Sequence, residues 1–263
     1  MNFIVTNSKV EPLLKEVEAY MSRKENYTID DKRNEIKIVE YAGERYVVKS
    51  FKVPHLINRI VYRYFRDSKA KRSYENSLRL KALGVDTPDP AGYAEERSVR
   101  GLGRSYFVSA YLPFDFEIRA LFADPRFPRR DEILEAFVKF AWELHEKGVY
   151  HVDFSPGNIL VKEEGKGYRF YLVDVNRMRF GPLGAQERMQ SLSKLTSSEE
   201  DNRTMVALYA GYSGWDEEEL LRYHRKALRR QREYLERKRR LKSLFNPLRK
   251  RGRPPHAPGR KRP

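Results

Sequence analysis

No cysteine occurs in this 263-residue chain. Disulfides, thiolate metal sites and cysteine nucleophiles are excluded at once. Long apolar runs are missing too, and nothing approaches the ~20 residues needed to cross a bilayer. The opening MNFIVTNSKVEP has no charged stretch followed by a long apolar one, so no secretory leader is visible and the expected compartment is the cytosol. Internal repeats are also absent. What the chain does have is enough apolar and aromatic residue, 40% and 13%, to build a core. Its length suits one two-lobed domain or two small ones.

The formal charge is +16, and its placement is uneven. From Arg222 onwards there are 18 Lys and Arg against 2 Asp and Glu, whereas residues 1–221 carry 35 of each kind. The body is neutral and the end is a polycation. This shift is the clearest boundary in the sequence.

Along the body, a short helix is expected near Glu11–Met21. Alternating runs at Glu35–Tyr41 and Tyr46–Phe51 flank Ala42-Gly43 and read as a hairpin. A helical pattern runs from KVPHLIN to KALG, where Gly84 is placed to end it. TPDP then keeps the chain extended. Strands are expected at Ala91–Ala94 and Ser105–Tyr111, a helix from Asp131 through ILEAFVKFAWELHEKG, and a second hairpin from Ile159–Val161 and Arg169–Val173. Strands followed by helices point to an α+β fold with an antiparallel sheet.

The chemistry is concentrated in LHEKGVYHVDFSPGNILV, which contains H-x-D-x-x-x-x-N as His151, Asp153 and Asn158. After the hairpin, Asp174 closes the apolar strand YLVDVN. Each residue alone has an ordinary structural reading: turn former, strand-start residue, strand cap, buried histidine. Together, and in this order, they suit phosphoryl transfer. That reaction needs an orienter at the attacking hydroxyl and oxygen ligands for Mg²⁺ on the phosphates. Asp153 is the candidate catalytic carboxylate; Asn158 and Asp174 are the candidate metal ligands.

LHEKGVYHVDFSPGNIL followed by VDVN resembles the catalytic and metal-binding loops of the protein-kinase superfamily. Within it, VVKSFKVP, SKAKRSYENSLRLKALGVDTPDP, SPGNIL and VDVNRMRF resemble the bacterial lipopolysaccharide core kinases, over roughly Asp31 to Tyr209. The charge shift sets off the basic segment at 222–263; the resemblance implies a two-lobed protein-kinase-like fold, with a small antiparallel-sheet lobe at 1–111 and a mainly helical lobe at 112–221. It also implies ATP and Mg²⁺ as cofactors and phosphorylation of a Kdo or heptose hydroxyl. By the same carry-over, Lys49 in YVVKSF would hold the α- and β-phosphates and Glu75 in RSYENSL would pair with it. The backbone of Ser109–Leu112 would meet adenine. The departures from protein kinases are informative. No G-x-G-x-x-G precedes Lys49, so the phosphate-covering loop is expected near Asp31–Asn34. Ser155 stands where a lysine is usual, Asn176 replaces the D-F-G glycine, Val152 replaces the H-R-D arginine, and no A-P-E follows. These losses imply a small hydroxylated substrate, not a protein.

WDEEELLRYHRKALRRQREYLERKRRLKSLF reads as a long helix capped by Ser213 or Asp216, with Glu217–Glu219 in its first turn. Leu220, Leu221, His224, Leu228, Leu235, Leu241 and Phe245 recur along it, and the Pro/Gly/basic residue beyond Asn246 is expected to be disordered. A basic amphipathic helix suits an anionic membrane surface, as a kinase for a lipid-linked sugar would need. The expected location is thus the cytoplasmic face of an inner membrane. Nucleic acid is the weaker partner, because no sequence-reading motif is present. The rival readings are a kinase for another small molecule or for a protein, and a pseudokinase binding module. Oligomeric state is not legible.

Overall fold

A computed structural model describes residues 2–5, 8–23, 26–30, 34–52, 67–98, 101–165 and 167–244. Residues 31–33 of the covering loop expected near Asp31–Asn34, the helical pattern over 53–66 and the tail beyond 244 lie outside these; Asn34 itself lines the cleft. Strand β1 is Asn2–Val5. Two short helices follow, α1 at Glu11–Lys15 and α2 at Val17–Ser22. The sheet continues with β2 (Tyr27–Asp30), β3 (Glu35–Tyr41) and β4 (Glu44–Phe51). Helix α3 is Lys69–Ala82, and β5 (Pro90–Ser98) and β6 (Gly101–Ala110) complete the sheet. The strand order is β1-β5-β6-β4-β3-β2, antiparallel throughout.

Strand alternation decides what each face of this sheet does. On β4, Tyr46 and Val48 are buried against Val10, Leu13, Leu14 and Val17 of the α1–α2 segment. Their alternates, Val47 and Lys49, face the cleft between the lobes. On β6, Tyr106 and Val108 join the covered face, while Phe107 and Ser109 face the cleft. The apolar/polar spacing of YVVKSF therefore places a lysine on the working face.

The second lobe begins with β7 (Phe116–Glu117), α4 (Arg119–Ala123) and α5 (Arg130–Glu146). Then come β8 (Val149–His151), β9 (Ile159–Glu164), β10 (Gly167–Leu172) and β11 (Met178–Phe180). β9 and β10 form the expected hairpin, and β8 pairs with β11. Helices α6 (Ala185–Leu192), α7 (Glu199–Ser213) and α8 (Glu217–Leu244) close the lobe. Its core is one cluster centred on Phe137, which packs against the rings of Phe122, Phe140, Phe154 and Phe170.

Two backbone details hold the loops in place. Thr87 Oγ1 donates to the Leu172 carbonyl at 2.8 Å, and the Leu172 amide donates to Asp86 at 2.9 Å. The extended TPDP segment is thereby fastened to the second lobe. Gly148 has φ +68, and a Cβ there would lie 2.7 Å from the Gly181 carbonyl. The Gly181 amide in turn donates to Gly148 O at 2.9 Å. That close approach fixes the register in which His151 lies opposite Met178.

Helix α8 is capped by Asp216, whose Oδ1 accepts the Glu219 amide at 2.7 Å, so of the two candidate caps Asp216 serves. Leu220, His224 and Ala227 are buried, and α8 packs on α6 and α7.

Buried histidines give the lobe a pH signature. Burial pushes His145 down to about 3 and His224 down to about 4, both from 6.5. Above pH ~6.5 the folded and unfolded chains both carry them neutral. Below it the unfolded chain takes up protons that the folded chain refuses, so stability falls as pH drops. Each histidine contributes up to ~1.4 kcal/mol per pH unit in that window. Urea unfolding at several values between pH 7 and 5 should show this decline, and His224→Gln should make it shallower. An acid limb equally steep in the variant would contradict the assignment.

Candidate active site

Asp153, Asn158, Asp174 and Lys49 line one cleft of about 690 Å³ between the lobes. The first three come from consecutive loops of the second lobe and the fourth from β4. The expectation that they converge is met in space.

One imidazole organises the catalytic loop. The Asp153 amide donates to His151 Nδ1 at 3.1 Å, and His151 Nε2 lies 3.1 Å from the Val173 carbonyl. An acceptor on one nitrogen and a donor on the other define a neutral ring with its proton on Nε2. Burial keeps it neutral, lowering its pKa although the Val173 carbonyl works the other way. His151 thus joins the backbone of Asp153 to that of the residue before Asp174. Asn158 adds a third tie: its Nδ2 donates to the Asp153 carbonyl at 2.9 Å. The amide nitrogen is engaged within the loop, which leaves Asn158 Oδ1 as the atom available to a cation.

Asp174 has φ +57, a left-handed conformation that a non-glycine residue holds only under constraint. The constraints are visible. Lys49 Nζ lies 2.5 Å from Asp174 Oδ1, Asn176 Nδ2 donates to the same oxygen at 2.6 Å, and Asn76 Nδ2 donates to the Val175 carbonyl at 2.7 Å. Burial would raise the Asp174 carboxyl, but the Lys49 ammonium and the Asn176 amide overrule it and hold it below the usual aspartate range. Asn176, in the place of the D-F-G glycine, is therefore a bonding residue of the site.

Glu75 corrects one expectation. Lys49 pairs with Asp174, whereas the Glu75 carboxylate is 3.6 Å from Lys71 on its own helix and half exposed. The reason is rotational. Ser73 and Ser77 of α3 line the cleft, and Glu75 lies two residues from each, about 200° around the helix.

Other residues reached the site without a sequence signal. Arg119 lines the cleft, and its guanidinium lies where a Cβ on Gly157 would sit, 1.8 Å from Nη2. A side chain at 157 would have to push this exposed guanidinium aside. Lys194, after α6, donates from Nζ to the Val152 carbonyl at 2.9 Å and to Tyr150 Oη at 3.2 Å. Burial lowers its ammonium to about 8, opposed by the charge of Asp153. Lys194 thus brings a cation beside Asp153, where Ser155 had left the sequence motif without one.

Oxygen donors fit Mg²⁺. Asn158 Oδ1 and the Asp174 carboxylate are hard ligands in the same cleft, and Mg²⁺ commonly takes one or two protein ligands plus phosphates and water. Among the described residues no cluster of three or more His, Asp or Glu could hold an ion on protein ligands alone.

The profile of the lipopolysaccharide kinase (Kdo/WaaP) family matches residues 15–226. A 3-deoxy-D-manno-octulosonic acid kinase from Pasteurella multocida (strain Pm70) is 24% identical over 161 residues, covering 60% of this chain and 66% of that protein. The alignment thus spans just under two thirds of that relative. Among solved structures, WaaP in complex with acyl carrier protein superposes with a TM-score of 0.61 at 19% identity, over 90% of this chain and 99% of that one. The likeness shows the fold, the two-lobed protein-kinase-like architecture expected from the sequence. The family match reaches further than Asp31–Tyr209, taking in α2 and the first turns of α8.

The His151 arrangement has a direct spectroscopic consequence. At pH ~6, close to the ordinary histidine value, ¹⁵N-resolved NMR of the ring should find the neutral form with the proton on Nε2. An imidazolium, or a proton on Nδ1, would contradict the bond from the Asp153 amide.

Proposed function

The chain belongs to the lipopolysaccharide kinase (Kdo/WaaP) family, and from that premise we propose that it transfers the γ-phosphate of ATP to a sugar hydroxyl of the lipopolysaccharide inner core. Kdo is the acceptor sugar favoured, since the matched Pasteurella protein is a Kdo kinase. The observation that carries this reading is the convergence of Asp153, Asn158, Asp174 and Lys49 on one cleft. A binding module that had lost its chemistry would have no need of all four.

The cleft accommodates the nucleotide in a definite sense. Ile36 and Val47 above and Leu160 below supply apolar surfaces for a purine. The Ala110 and Tyr111 amides already donate to Asp89 and Arg45 carbonyls. The backbone of Tyr111 and Leu112, just past the end of β6, is the stretch that would meet its edge. Lys49 and Arg119 are the cations positioned for phosphate oxygens. Bound Mg²⁺ would neutralise charge between the phosphates, held by Asn158 Oδ1 and Asp174. Asp153 orients the acceptor hydroxyl and takes its proton. The hydroxyl oxygen bonds to the γ-phosphorus, and the bond to the β–γ bridging oxygen breaks, with ADP leaving on that electron pair. His151 and Asn158 keep Asp153 aimed throughout.

Transfer of ³²P from ATP to Kdo-bearing lipid A, with casein as a protein control, tests the reading. Asp153→Ala should lower kcat by roughly 10²–10⁴-fold while leaving nucleotide affinity nearly intact. Asp174→Ala should also weaken Mg²⁺-dependent binding. Lys49→Met should weaken ATP by about ten- to a hundred-fold, the scale of a charge-assisted hydrogen bond, whereas Glu75→Gln should change it less than about twofold. Phosphorylation of casein alone would redirect the function, and full turnover in Asp153→Ala would remove it.

A membrane-side location is part of the same proposal. The far half of α8 exposes Tyr234, Leu235 and Leu241 among its arginines and lysines, and no described helix is apolar enough to cross a bilayer. Each basic residue near an anionic surface contributes about 1 kcal/mol, screened by salt. Co-sedimentation with phosphatidylglycerol vesicles should therefore exceed that with phosphatidylcholine and decline with salt. A chain truncated after Leu244, lacking seven of the basic residues, should pellet less. Equal pelleting of both chains would reject a contribution from the tail.

A further inference from the structure

A second groove, of about 390 Å³, begins at Val152, Asp153 and Ser155 and runs between α6 and α8. Asp153 and Ser155 line this groove and the nucleotide cleft alike. The catalytic carboxylate therefore stands where the two cavities meet. A molecule seated in the groove can present a hydroxyl to Asp153 while the cleft presents a phosphate.

The walls specify what such a molecule should be. Positions 223, 226, 230 and 234 of α8 form one stripe at helical spacing, and Tyr223, Lys226, Arg230 and Tyr234 all line the groove. Lys194 faces them from the end of α6. Apart from Asp153, no carboxylate lines the groove among the described residues. Four other arginines of this lobe, Arg130, Arg179, Arg188 and Arg203, each hold a carboxylate. Among the described residues Lys226 and Arg230 hold none, and both are exposed. Between the cations stand neutral amides, Gln186, Gln190 and Gln231, which can both donate to and accept from hydroxyls.

We propose that this groove seats the phosphate acceptor, with Lys226, Arg230 and Lys194 holding a carboxylate or phosphate group that the acceptor carries. The amides take its ring hydroxyls, and Tyr234 offers an aromatic face. Resting on the phosphotransfer reading above, this gives α8 a role beside any membrane contact: its near half is a wall of the acceptor site. The basic stretch is then two surfaces in succession, one that reads a small anion and one that meets a large one.

The test uses the full chain and its K226Q/R230Q variant. Both residues are exposed on a helix, so the variant should keep its melting midpoint. Three probes are titrated by ligand-observed NMR: free Kdo, the methyl ester of Kdo, and glucose 1-phosphate. The wild type should bind at least one charged sugar about ten-fold more tightly than the ester. Which one it prefers identifies carboxylate or phosphate as the group held. The variant should lose that preference while binding ATP within about twofold of wild type. Equal binding of charged and neutral sugars by the wild type, or an undiminished preference in the variant, would overturn the proposal. Transfer assays on the same pair separate it from the function itself. Charge-selective binding lost in the variant, without any transfer by the wild type, would support the groove and remove the kinase reading. Transfer with an unchanged acceptor KM in the variant would do the reverse.

Discussion

The imidazole of His151 is the point on which the rest of the site depends. Its two nitrogens bridge the Asp153 amide and the Val173 carbonyl, tying the loop that would meet the acceptor to the strand that carries Asp174. The ring can do this only while neutral, and its neutrality follows from burial. Around it the constraints are cumulative. Asn158 holds Asp153 from the other side, and Asn176 and Lys49 hold the Asp174 carboxylate. Asn76 anchors the next peptide from α3. A left-handed aspartate is stable in this setting because several independent bonds each fix one part of it.

The legible part of the site was the part written locally. His151, Asp153 and Asn158 lie within eight residues, and a single hairpin returns the chain to Asp174. Spacing along the sequence was therefore close to proximity in space. Lys49 was singled out only by the family resemblance; strand alternation, with its period of two, then explains why it stands on the cleft face of β4 while Tyr46 and Val48 are covered. Glu75 was carried over in the same way and misread. A helix offers several acidic and polar positions per turn, and only its rotation about its axis decides which one looks inward. Ser73, Asn76 and Ser77 do so, and none of them announces a charge. Arg119 and Lys194 were invisible because each is one cation among 53, given meaning only by what folds against it. The short strands β1, β2, β7, β8 and β11 escaped the reading because two to four residues are too few to show a period.

The charge boundary near Arg222 was real in composition, but it does not coincide with a break in structure. Helix α8 starts before it and runs through it, anchored by Leu220, His224 and Ala227. Composition reports solvent exposure, and an exposed helix face can be strongly basic while its inner stripe is packed into a lobe. The same helix is thus core, cleft wall and surface at successive turns. Five of the cations counted as a tail, Arg225, Lys226, Arg229, Arg230 and Arg232, line a groove of the lobe.

The contact between Gly148 and Gly181 has a consequence for genetics. Any side chain at position 148 must displace the backbone of β11's far end and, with it, the register that sets His151. A mutant collection scored only by loss of activity would return Gly148 next to Asp153, as though both touched the substrate. Suppressor mutations would separate them: a defect of register can be relieved from a neighbouring strand, and a missing carboxylate cannot.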